Sequence, residues 1–95
     1  MRLRWTQRAL DEFEHAHDYI AKDDPRAAHE IAQRILDASR KLLDHPHIGR
    51  VGEDEDTREW RVQRTPYLLV YEINGDIIEL LRVWHTKRER PAQED

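Results

Sequence analysis

The chain has 95 residues, 38% of them apolar and 38% charged, with no cysteine and a formal net charge of −4. That length makes one domain able to bury about 60–65% of its extended surface, and it leaves no room for a regulatory module. The missing cysteines exclude disulfides and thiolate zinc sites, and no run approaches the roughly 18 apolar residues of a membrane span. Arg2 and Arg4 have no apolar stretch behind them, so neither secretion nor membrane insertion is expected. The charge is unevenly placed: residues 1–56 carry 9 basic and 13 acidic side chains, residues 57–90 carry 7 and 5. A basic excess this local weighs against a large phosphate footprint and allows a small one.

In Arg2–Trp5 the apolar Leu3 and Trp5 alternate with arginine, enough for a short first strand. Thr6 is a plausible helix N-cap, followed by Ala9, Leu10, Phe13, Ala16, His17 and Ile20 at steps of three and four. The spacing predicts a helix of about 15 residues. It ends before Asp24-Pro25, where Asp24 can cap and Pro25 can open a second helix. That helix carries a stripe of Ala28, Ile31, Ala32, Ile35, Leu36, Ser39, Leu42 and Leu43, and His45-Pro46 stops it. A link as short as Asp23-Asp24 folds the two into an antiparallel hairpin. His47–Asp56 has two glycines, a charge run and no periodicity, and reads as a loop.

Residues 57–85 read as three antiparallel strands, with Asn74-Gly75 as a hairpin turn. With Asn74 and Gly75 as the central turn residues, Tyr71 faces Ile78 and Leu69 faces Leu80. One face then holds Tyr67, Leu69, Tyr71, Ile73, Ile78, Leu80 and Trp84, and should meet the helices. The other holds Leu68, Val70, Glu72, Ile77, Glu79, Leu81, Val83 and His85, without an obvious cover. Trp60 and Val62 should point to the helices and Arg61 away from them. Lys87, Arg88 and Arg90 follow the last strand. The expected fold class is α+β in the order β-α-α-β-β-β, a helical hairpin on one face of an antiparallel sheet. Residues 1–90 form the domain and 91–95 a disordered tail.

His15 and His17 lie about 200° apart on a helix and cannot share an ion; His45 and His47 have no clear third ligand. No metal or other cofactor is expected. The acidic helical residues and the Glu53–Asp56 run read as solvated surface. Arg61, His85 and the cations after the last strand are the chemical candidates. Histidine as acid or base with arginines around a phosphorane could cleave a phosphodiester without metal. The same residues beside apolar area could anchor a protein partner.

Trp5-Thr6 with Ala9, Asp18-Tyr19-Ile20-Ala21, Pro25 with Ala28, Leu42 with His45-Pro46 and Gly49-Arg50, Tyr67-Leu68-Leu69-Val70-Tyr71, and Leu81-Arg82-Val83-Trp84-His85 together resemble the ParE/RelE superfamily of bacterial toxins from type II toxin–antitoxin modules. The resemblance spans nearly the whole chain and implies a helical hairpin on an antiparallel sheet. It also implies a cytoplasmic toxin in a hetero-oligomer with a cognate antitoxin. RelE-like members cut mRNA on the ribosome, whereas ParE-like members poison DNA gyrase. The nuclease pattern has arginine after the tyrosine of the central strand; this chain has Leu68. Where that pattern has two lysines on the preceding strand, this chain has Glu59 and Arg61. Arg88 matches a further nuclease arginine, and Pro91–Asp95 hold no counterpart of a later tyrosine. The resemblance therefore favours a non-enzymatic gyrase inhibitor, with Arg61, His85, Lys87 and Arg88 contacting the target and Leu68, Val70, Leu81 and Val83 the antitoxin. The alternatives are a ribosome-dependent nuclease using Arg61, His85 and Arg88, and an inactive module that only binds its antitoxin.

Overall fold

The chain turns from strand to helix at Thr6, where the backbone conformation and two hydrogen bonds of its hydroxyl fix the turn. Its backbone is extended (φ −72°, ψ 161°), its hydroxyl oxygen accepts a hydrogen bond from the Ala9 N–H at 3.2 Å, and the hydroxyl donates to the Leu80 carbonyl at 2.9 Å. This N-cap satisfies one of the donors that the first helical turn leaves free. The computed structural model describes residues 1–87. Its elements are β1 (Arg2–Trp5), α1 (Gln7–Ala21), α2 (Pro25–Asp44), β2 (Arg50–Val51), β3 (Thr57–Arg61), β4 (Tyr67–Asn74) and β5 (Ile77–His85). Asp24 caps α2 by accepting from the Ala27 N–H at 3.1 Å, with Pro25 in the first turn.

The strands lie in the order β1-β5-β4-β3-β2. All neighbours are antiparallel except β1 and β5, which are parallel because the helical hairpin carries the chain across the sheet between them. The helices cover one face. Ala9, Ala16, Ile35 and Leu42 of the hairpin meet Val62, Tyr67, Leu69, Tyr71, Ile78, Leu80 and Val83 in one buried cluster. Trp5 meets Phe13 edge-on at 5.4 Å. Part of the stretch expected as a loop pairs as β2, with Arg50 opposite Glu59 and Val51 opposite Arg58. Two residues without alternation give no strand pattern in sequence; pairing to β3 alone defines them.

The β4–β5 hairpin departs from the expected register. Gly75 and Asp76 are the central turn residues, because Asn74 pairs with Ile77. Only Gly75 takes a positive φ, 62°, as in a turn with glycine first. Further along, Tyr71 pairs with Leu80 but Val70 with Arg82, so Leu81 is an extra residue in β5. This bulge sits where β1 ends and Thr6 binds the Leu80 and Leu81 carbonyls. One inserted residue reverses the faces of everything after it. Val83 therefore turns into the core, 2% exposed. His85 stands opposite Tyr67 on the helix-facing side, and Trp84 moves to the uncovered face opposite Leu68. The expected placements of Val83, His85 and Trp84 are all reversed. Trp60 and Arg61 keep theirs, opposite Leu69 and Leu68 respectively.

Candidate functional site

Across β3, β4 and β5, the uncovered face has one row of Arg61, Leu68 and Trp84 and a second of Glu59, Val70 and Arg82. Beyond them Glu72 stands opposite Glu79, and Asn74 Nδ2 donates to both carboxylates, at 3.3 and 3.2 Å. Leu68, Val70, Leu81 and Trp84 are half-buried. The apolar strip is thus partly screened by its own charged neighbours. Among the described residues, the exposed large apolar side chains lie elsewhere, at Met1, at Leu10 and Tyr19 on α1, at Ile48 before β2 and at Val51 in β2.

Arg82 is held against the α1 residue Glu12 at 2.7 Å, with both side chains about 15% exposed, and its guanidinium lies 5.7 Å from the Trp84 ring centre. The other Glu12 oxygen accepts from the Val83 N–H at 2.9 Å. Glu12 thereby takes a backbone donor on the stretch of β5 that β1 no longer covers.

Arg61, His85 and Lys87 line one cleft, of about 380 Å³, together with Arg64, Thr65 and Pro66. Arg88, expected beside them, lies outside the described residues. The cleft is built by the turn between β3 and β4 and by the end of β5. Val62 N–H donates to the Tyr67 carbonyl at 3.0 Å and closes the turn. The Thr65 hydroxyl braces it from inside, donating to the Val62 carbonyl at 2.9 Å and accepting from the Tyr67 N–H at 3.0 Å. Thr86 ties the end of β5 to this turn, its N–H and its hydroxyl donating to the Pro66 carbonyl at 2.8 and 3.0 Å. The His85 ring meets Tyr67 edge-on at 5.1 Å, and its Nδ1 accepts from the Lys87 N–H at 3.1 Å. An accepting Nδ1 leaves the proton of the neutral ring on Nε2. Arg61 donates to the Thr65 carbonyl at 3.3 Å. Sequence reasoning missed Arg64; its only signal was a basic residue in the short gap between two strands.

A second groove runs between the last turns of α2 and the end of β3, lined by Arg34, Asp37, Lys41, Asp44, Trp60 and Arg61 among others. Its charges are mixed. Among the described residues, no three His, Asp or Glu side chains converge to hold a metal ion, and no helix is long and apolar enough to cross a membrane.

Gly49 and Tyr71 fix the segment before β2. The Tyr71 hydroxyl donates to the Pro46 carbonyl at 2.7 Å and accepts from the Gly49 N–H at 3.0 Å, and Arg58 donates to the Gly49 carbonyl at 2.8 Å. A side chain at position 49 would come within 2.8 Å of both the Glu59 carbonyl and the Tyr71 hydroxyl. Burial pushes the Tyr71 phenol above its ordinary 10.0, and the Gly49 hydrogen bond and the Arg58 charge pull it partly back.

Comparison with known proteins places this architecture. The chain is 40% identical over 90 residues to Y4kP, a candidate toxin of Sinorhizobium fredii (strain NBRC 101917 / NGR234), covering 95% of this chain and 93% of that protein. Its fold superposes on a chain of the chromosomal ParDE TA system from P. aeruginosa with a TM-score of 0.84, at 23% identity, covering 92% of this chain and 97% of that one. Residues 3–90 match the family described as ParE toxin of type II toxin-antitoxin system, parDE, and the chain belongs to that family.

Proposed function

We propose that this toxin acts in the cytoplasm by binding DNA gyrase and that a cognate antitoxin holds it inactive in a hetero-oligomer. The supporting observation is the composition of the cleft. Among the described residues its titratable lining is Arg61, Arg64, His85 and Lys87, with no carboxylate. Metal-free phosphodiester cleavage needs a group to take a proton and another to give one. Among the described residues His85 is the one imidazole in the cleft lining, and the central strand has Leu68 rather than a cation next to Tyr67. The cleft is better equipped to bind than to cut. The antitoxin is read as covering the strip of Leu68, Val70, Leu81 and Trp84, with acidic groups meeting Arg61; the buried Val83 drops out of that surface.

The test is purified toxin added to gyrase and plasmid DNA, in parallel with translating ribosomes and message. Loss of supercoiling with intact message supports the reading. Cut message with normal supercoiling overturns it in favour of the nuclease, whose case rests on His85 and Arg61 sharing the cleft.

A further inference from the structure

Two backbone positions among the described residues have positive φ. One is Gly75, where glycine is the unstrained choice. The other is Arg64, at φ 63°. Arginine is not among the residues enriched in the left-handed region, so the turn holds a strained residue where glycine would fit more easily. Strain of this kind persists where the surroundings over-determine it, and it clusters at functional sites. Here the Thr65 hydroxyl and the Val62–Tyr67 bond fix the turn. The resulting conformation places Arg64 in the lining of the cleft with Arg61 and Lys87.

Among the described residues, three of the other sheet cations are paired with a carboxylate, whereas Arg2 and Arg58 are not. Arg4, Arg50 and Arg82 each meet a glutamate, at 3.3, 3.1 and 2.7 Å. Among the described residues, Arg61, Arg64 and Lys87 form no salt bridge, and all three are exposed. Three uncompensated positive charges around a small cleft attract a polyanion.

We propose that Arg64, with Arg61 and Lys87, seats the backbone phosphates of a nucleic acid. Phosphates carry their charge at a regular repeat and suit a cluster of cations from two segments; carboxylates on a peptide would need matched spacing. The inference rests on the gyrase reading for its biological setting, since that enzyme works on DNA, but its test needs no gyrase.

The experiment is fluorescence anisotropy of a labelled DNA duplex of about 20 base pairs with the whole chain, over a series of salt concentrations. Three phosphate contacts give a slope of log K against log salt of about −2.7. Arg64→Gly should reduce that slope by about 0.9 and weaken binding about tenfold at 50 mM salt. The same variant should keep or raise the thermal midpoint, because it relieves the backbone. Arg64→Lys should keep the slope. Unchanged DNA binding in Arg64→Gly overturns the proposal, and so does a fall in midpoint that parallels the fall in affinity. Binding of a labelled polyglutamate peptide in an Arg64-dependent way, with no DNA binding, also overturns it and assigns the cleft to an acidic protein segment. Gyrase inhibition without DNA binding sinks the phosphate seat and leaves the gyrase reading; Arg64-dependent DNA binding without gyrase inhibition does the reverse.

Discussion

Replacing Tyr71 by phenylalanine removes one oxygen and tests how the segment from Pro46 to β2 is held. Tyr71 is fully buried, and its hydroxyl makes two hydrogen bonds, to the Pro46 carbonyl and from the N–H of the buried Gly49. Each bond contributes about 1 kcal/mol, and stranding the Gly49 donor adds about 1–2 kcal/mol. The expected loss is therefore about 3–4 kcal/mol, against a total of roughly 5–14 kcal/mol for a domain of this size. In a thermal scan it lowers the midpoint by roughly 10–25 °C. The phenol also predicts a pH signature. Its folded pKa is raised above 10.0, so above that pH the unfolded chain loses this proton more readily than the folded one. The contribution is complete below pH 10.0 and is lost as pH climbs through the folded value. Urea denaturation of both proteins at pH 7 and at several pH values above 10 measures both effects. A loss under about 0.5 kcal/mol at pH 7, or an alkaline decline equally steep in Tyr71→Phe, would refute the reasoning.

Glu12→Ala removes the carboxylate that Arg82 and the Val83 N–H share, and should cost about 2–4 kcal/mol by urea denaturation; Glu12→Gln, which keeps an acceptor for Val83, should cost clearly less. Gly75→Ala meets no atom within 4 Å but must adopt φ 62°. It should lose about 1 kcal/mol through the backbone alone, whereas Gly75→Asn should lose less; equal losses would contradict the turn geometry. Leu68→Glu puts a charge in the centre of the uncovered face while leaving the core untouched. It should weaken antitoxin binding at least tenfold by calorimetry, and unchanged affinity would remove this face from the interface.

The helices were legible because their signals are local. Thr6 and Asp24 cap with their own side chains, Pro25 fits only a first turn, and the apolar stripes repeat every three to four residues, so no distant contact is needed to place them. The strands other than β2 were equally clear, and so was the outward direction of Arg61. The bulge was not read, though one clue was present. Continuing the alternation Ile78, Leu80 past Leu81 would have put Arg82 among Tyr67, Leu69 and Tyr71, and a charge on a core face signals a change of phase.

What the sequence determined by itself is the elements other than β2 and their class, together with membership in a toxin superfamily through motifs that span the chain. Tertiary structure decided which side chains meet. It set the parallel β1–β5 pairing, turned Val83 inward and Trp84 outward, and brought Arg64 to Arg61, His85 and Lys87. The physical reason is range. Caps and periodicity act within one or two turns of chain. The bulge depends on Thr6 and Glu12, more than 65 residues away from the β5 groups they bind, and the cleft depends on Thr86 binding Pro66 across two strands.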